Sequence, residues 1–415
     1  MQIKKRFEIE SFLTPELLVL RDRFLSEYLN ESPAEIGGKY SPTPVCVGTD
    51  YIYGLDRLCP VLCKAFTAIV FAYFSDERIR QIYQLDQGLE EILKLAETQP
   101  YQPGLYRPDL LYDTNGQARI CEIGARYPLN GWIYSYYQNA VYETLYTAAG
   151  IDFAAVPGQD EILSLLVDLW DTSKPVALVH DDEAGTEVFE VERELLRSGG
   201  TFVSLKPQDL DCENGKIIFQ DRVLDQFILE MDREELRKFG PGVLRQLVLQ
   251  ANYFNDIRTL ILVHDKRVLA VLWDEDIMRD YLSAAEYDLL RPWLIPSFVI
   301  RNENEIETWL HGTQNLILKL NSGGRGVGAY VKSHCTPDEW ESVLRTQWKN
   351  YLIQDFVDQQ EYQIEGAAQH LVGMLLCRND RNFGAGAFRG SADSIVNIHQ
   401  GRAKFLPVLF RNDQS

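Results

Sequence analysis

A chain of 415 residues is long enough for two or three domains with cores of their own. Its 61 acidic against 41 basic side chains leave a formal charge of −20, which argues against a nucleic-acid backbone or an anionic membrane surface as partner. Hydrophobic residues at 46% and charged residues at 25% are ordinary for a soluble globular protein. Of seven scattered cysteines only Cys59 and Cys63 are close, which fits reduced thiols in the cytoplasm better than a zinc site or a disulfide framework.

The first ten residues lack the apolar core of a signal peptide. Residues 1 to about 100 read as mainly helical, with apolar positions at helical spacing over 12–28, 63–74 and 79–95. The most apolar run, 58–74, is interrupted by Pro60 and Lys64 and reads as a buried helix rather than a membrane span. A strand over 109–113, a turn at 114–117 and a strand over 118–123 follow, then an aromatic helix over 132–146. From about 157 to 175 the pattern changes. A short apolar strand over 176–180, an amphipathic helix over 187–197 and a strand over 199–205 predict a small parallel sheet, continued by 215–220 and 223–229. A second α/β region begins near Pro296.

Five segments carry candidate chemistry. The strand from Leu316 holds Lys319 and runs into a loop with Gly323, Gly324, Arg325, Gly326 and Gly328 before a second strand returns. Such glycines let backbone amides approach a polyphosphate without Cβ clashes, and Lys319 adds a point charge. No Gly-Lys-Ser/Thr follows, so this is not a P-loop; a phosphate cover and a plain β-hairpin both use these glycines. Lys266 in His264-Asp-Lys-Arg267 is either an exposed lysine at the start of a helix over 268–273 or a second phosphate cation. The apolar strand over 351–357 offers Gln354, Asp355, Phe356 and Val357 as a hinge for an adenine edge, with Glu361 for ribose hydroxyls; a buried strand with a solvated acid is the plain alternative. Asp109 and Glu122, on adjacent strands of the predicted hairpin, can share Mg²⁺, with Arg107 close by and Arg126 beside the reacting group, or all four form a surface ion-pair network. Arg389 at the end of 384–389, with 395–401, completes the set on a predicted final strand–loop.

In this order the segments resemble the ATP-grasp superfamily, specifically its circularly permuted branch, which includes the glutathionylspermidine-synthetase-like ligases. The resemblance implies an α/β chain: N-terminal helices plus metal-site strands over 1–155, a pre-ATP-grasp-like α/β domain over 156–300, and an ATP-binding subdomain over 301–415. Lys266 and Lys319 then match the phosphate lysines, Gln354 to Val357 the adenine hinge, Glu361 the ribose acid, and Asp109 with Glu122 the Mg²⁺ ligands. Arg126 would steady an acyl phosphate, and Arg389 would meet the acid substrate. The implied activity is ATP-dependent joining of a small-molecule carboxylate to an amine (amino acid, short peptide or polyamine), with ADP released; a homodimer is compatible. One departure stands out. Glu122-Ile-Gly124 occupies the place of a family Glu-x-Asn, so Asn130, Asn397 or water must supply the missing oxygen, or catalysis is lost. A kinase-like phosphotransferase and a non-catalytic nucleotide-binding scaffold are the rival readings. The segment 127–137 either lines an aromatic or peptide pocket next to Arg126 or packs as an ordinary helix.

Overall fold

The computed structural model describes residues 7–9, 13–126, 129–150, 155–181, 187–250, 252–323, 328–396, 398 and 403–411. The apolar run 58–74 lies in the 24-residue helix Thr49–Ala72 except for its last two residues, which turn out of it. Tyr51, Leu55, Leu58, Leu62, Phe66 and Ile69 recur every three or four residues and are all buried, so this face meets the core. Among the described residues no single helix is long and apolar enough to cross a membrane. The helix expected over 79–95 is two helices, Glu77–Tyr83 and Gln87–Ala96. Gln84 turns left-handed at φ 43° and ends the first, while Asp86 accepts from the amides of Gly88 and Leu89 to start the second.

The hairpin pairs Leu105–Tyr112 with Ala118–Gly124, setting Asp109 opposite Glu122 and Arg107 opposite Gly124. It does not stand alone. Leu105–Tyr112 also pairs with Ala367–Arg378, which pairs with Glu361–Ile364 and Arg381–Ser391; Lys404–Leu406 completes a six-stranded antiparallel sheet. Strands from near residue 110 and from beyond residue 360 thus form one floor. The segment 384–389 is the middle of the long strand Arg381–Ser391, not the approach to a final strand–loop. Ile395, Val396 and Ile398 lie in no strand, and Asn397, His399, Gln400 and Gly401 fall outside the described residues.

The predicted parallel sheet is present, in the order Asn252–Tyr253, Gln226–Glu230, Pro175–His180, Thr201–Leu205, with helix Val188–Arg197 crossing between the last two. The stretches expected to extend it, 215–220 and 223–229, are mostly diverted. Lys216–Phe219 and Arg222–Leu224 form an antiparallel ribbon with Asp211–Glu213, because left-handed backbone at Gln220 and Asp221 folds the chain straight back. Only Gln226–Glu230 joins the sheet. A third, antiparallel sheet runs Ser297–Phe298, Tyr351–Asp355, Leu316–Leu320, Tyr330–Val331. Helix Pro337–Gln347, started by a Thr336–Glu339 capping box, covers one face by packing Trp340, Val343 and Leu344 on Leu316, Leu318 and Ile353. Side chains alternate along a strand, so Ile317 and Lys319 face the other way.

Candidate active site

The six-stranded sheet and the third sheet meet around a cavity of about 860 Å³, to which the parallel-sheet region adds Glu187, Glu190 and Asp232 from outside its strands. Ile317 and Lys319 enter it from the third sheet. The Lys319 ammonium donates to the Cys121 carbonyl at 2.9 Å and to Gln354 Oε1 at 2.8 Å. Gln354 in turn donates to Ser297 Oγ at 2.9 Å, so its side chain is a fixed strut. Burial lowers the Lys319 pKa below the ordinary lysine range, against the pull of Cys121 and Glu122.

Lys266 is no exposed helix-start lysine. It is 7% exposed, its amide donates to the Asn321 carbonyl, and its ammonium donates to the Gly323 carbonyl at 2.6 Å and pairs with Glu122 at 3.1 Å. Gly323 holds φ at +86°, where a side chain would be strained. Gly324, Arg325 and Gly326 fall outside the described residues. Burial pushes the Glu122 carboxyl up, but Lys266 and Lys319 outweigh it and hold the pKa at about 2, so Glu122 is ionised.

Gln354, Asp355, Phe356 and Val357 all line the cavity. The amides of Asp355 and Phe356 are committed to the carbonyls of Pro296 and Asn315, each at 3.0 Å. Val357 is therefore the hinge position whose amide has no protein acceptor among the described residues. Glu361 begins an exposed strand end opposite His370 and is not among the cavity's walls.

Further along the floor, Asp109 is 4% exposed and held by two arginines: Arg107 at 2.8 and 3.1 Å, and Arg389 at 2.6 Å. Arg107 also donates to the Asn130 carbonyl. A Cβ at position 124 would lie in ordinary contact with Arg107, at 3.6 to 3.8 Å. Among the described residues no group of three or more His, Cys, Asp or Glu side chains converges on a metal position. A magnesium ion, which keeps several waters of its own, fits Glu122, whose side chain is 31% exposed, better than Asp109, whose oxygens are both taken by arginine.

Arg126 reaches the cavity from the other side, clamped by Glu230 at 3.2 Å and Asp232 at 3.1 Å. Burial pushes the Glu230 carboxyl up to about 8, over the opposing charge of Arg126. His264 takes a hydrogen bond on Nδ1 from the Ala125 amide; burial, then Lys266 and Arg126, push its pKa down to about 4, leaving it neutral. Glu187 accepts from the amides of Gly131, Ile133 and Tyr134 at the start of helix Trp132–Ala149. Burial still pushes its carboxyl up to about 7. The sequence reading passed over Glu187, Glu230 and Asp232. Glu230 alone had a signal, as the acid ending a buried parallel strand. Of the aromatic segment 127–137, Tyr134 lines the cavity, Trp132 and Ile133 are core, and Tyr127 and Pro128 fall outside the described residues.

Residues 58–262, a little under half of the chain, match the model of the AnkG N-terminal domain family. A curated relative, the ATP-grasp enzyme ankG of Aspergillus thermomutatus, is 23% identical over 86% of this chain and 83% of its own length. Among solved structures, a glutathione synthetase-like effector from Globodera pallida, in its apo form, superposes with a TM-score of 0.57 at 12% identity, covering 96% of this chain and 98% of that one. The chain has a glutathione synthetase-like fold. That fold takes in nearly the whole chain, so the N-terminal helices belong to it as much as the three sheets do.

Proposed function

We propose that the chain is an ATP-dependent carboxylate–amine ligase of the circularly permuted ATP-grasp type, forming an amide through an acyl phosphate and releasing ADP and phosphate. The observation that supports it most is the convergence of Lys266 and Lys319 on Glu122 beside the hinge, with Arg107, Asp109 and Arg389 further along the same floor. The ATP-grasp relative and the glutathione synthetase-like fold point the same way.

In this reading the two lysines and the amides of the glycine loop hold the phosphates, and Val357 presents its amide to the adenine edge. Glu122 would hold Mg²⁺, which supplies neutralisation of phosphate charge, and Asp109 opposite would join it only by giving up an arginine. A carboxylate oxygen of the acid attacks the γ-phosphorus and the bond to ADP breaks. The amine nitrogen then attacks the acyl carbon, phosphate leaves, and the nitrogen gives up a proton. Arg126 and Arg389 stand where negative charge develops, so the catalytic work is positioning and charge stabilisation.

The test is to incubate the chain with ATP, Mg²⁺ and pooled amino acids, small acids and amines, resolving ADP from AMP. ADP and phosphate that depend on both an acid and an amine, with a condensed product by mass, are expected. AMP with pyrophosphate overturns the mechanism. A phosphorylated acid with no amine consumed makes the chain a phosphotransferase, and ATP binding without turnover on any pool makes it a non-catalytic binding protein.

A further inference from the structure

The sheet floor continues past the arginines. Arg389 pairs with Phe405 on the neighbouring strand, and Phe405 bridges in turn to Tyr40, which forms the next row. At about 4.8 Å per strand, the Tyr40 row lies roughly 10 Å from the Arg389 row. There the rings of Tyr40, Tyr134 and Phe405 pack together with centroids 4.5 to 5.7 Å apart, and all three line the cavity. Glu31 lines it beside them, placed by Asn30, which ends helix Pro15–Leu29 in the left-handed region. One oxygen of Glu31 takes Lys39 at 2.8 Å; the other, Oε2, is buried with no hydrogen-bond partner. Burial, then the charges of Glu31 and Glu187 and a hydrogen bond with Glu31, push the Tyr40 phenol far above its usual pKa, so its hydroxyl stays protonated. A buried carboxylate oxygen can only accept, and leaving it without a donor costs free energy. Lys39 and the Tyr40 hydroxyl are the donors turned to Glu31 here, and neither satisfies Oε2.

We propose that the far lobe binds the amine end of an elongated amino acid whose carboxyl group lies at Arg389. An ammonium carries three N–H donors, enough for Glu31 Oε2 with others to spare, and it gains from the faces of the surrounding rings. A hydroxyl offers one donor and gains nothing from the rings. The body between the two ends crosses Phe405 and is apolar. An α-amino acid, with both groups on one carbon, is too short to span the two positions. The identification of the carboxyl end as the reacting group rests on the proposed ligase reading; the amine subsite does not.

The experiment is calorimetric titration of the full chain, without nucleotide, using 8-aminooctanoate and octanoate, whose extended chains span about 10 Å. The amino acid is expected to bind at least tenfold more tightly than the plain acid. Glu31→Gln, which keeps the shape and removes the charge, should abolish the difference while leaving octanoate binding unchanged. Tyr40→Phe, which keeps the ring, should retain most of it, and thermal melts establish that both variants are folded. Equal binding of the two acids, binding of neither, or a preference that survives Glu31→Gln overturns the proposal. Because no ATP is present, a chain that shows the preference yet never turns over ATP would sink the ligase reading and leave the subsite standing.

Discussion

Lys319 is a half-buried cation facing an ionised glutamate, and its two hydrogen bonds go to neutral acceptors, the Cys121 carbonyl and Gln354. Such a cation is placed for a ligand's negative charge rather than for a partner in the protein. Lys319→Met keeps the stem and removes the charge, so it should cut ATP-dependent turnover by about 10²–10³-fold while moving the melting temperature little. Near-normal ADP release would remove Lys319 from the phosphate site. Glu230 makes a stability prediction of opposite character. Burial raises its folded pKa from 4.5 to about 8, so the stability linked to its proton is fully present below pH 4.5 and is lost as pH rises through 8. Glu230→Gln cannot ionise. The variant should melt like the parent at pH 5 and be more stable at pH 9 by on the order of 2 kcal/mol, the desolvation gain less the lost bond to Arg126. Melting curves that stay parallel across that range would show that Glu230 is not held protonated.

Glycines at the element scale separate structural from spare positions. In the long strand Ala367–Arg378, a Cβ on Gly373 would meet Tyr112 Oη at 2.5 Å and the Phe388 ring at 3.0 Å. Gly373→Ala should therefore cost about 1–3 kcal/mol, read as a lower urea midpoint. In helix Pro33–Lys39, Gly37 and Gly38 have open space, and Gly37→Ala should gain about 0.5–1 kcal/mol. The same contrast explains what the sequence could show. Elements whose signal is local periodicity were legible: the hairpin, the aromatic helix, the parallel strands and the lysine strand. The split at residues 220–221 was not, because two left-handed non-glycine residues carry little sequence signal. Nor was the pairing of Leu105–Tyr112 with Ala367–Arg378, which depends on a partner more than 250 residues away. The site divides in the same way. Lys266, Lys319, Asp109, Glu122 and Arg389 do line one cavity, and Arg107 beside Asp109 was legible from spacing, but the reach of Arg389 to Asp109 and of Glu230 and Asp232 to Arg126 joins separate elements and was not.

At the scale of the whole molecule, the hairpin and the third sheet are joined at the cavity by two polar links. Lys319 reaches from the third sheet to the Cys121 carbonyl of the hairpin, and Lys266 holds both Glu122 of the hairpin and Gly323 at the end of the lysine strand. A nucleotide that draws both ammonium groups onto its phosphates must disturb both links, so its effect cannot stay within one sheet. Hydrogen exchange with a non-hydrolysable ATP analogue and Mg²⁺ should therefore change protection at 118–124, 316–320 and 351–357 together. The ribbon at 211–224 lies outside the cavity walls and should exchange as before. Protection confined to the third sheet would mean that the hairpin carboxylates take no part in nucleotide binding. Asp109 would then be a structural brace for Arg107 and Arg389, and the metal would have to be sought elsewhere. Concerted protection would instead tie nucleotide binding to the very strands that carry the arginines, so that ATP and acid substrate meet over one continuous sheet.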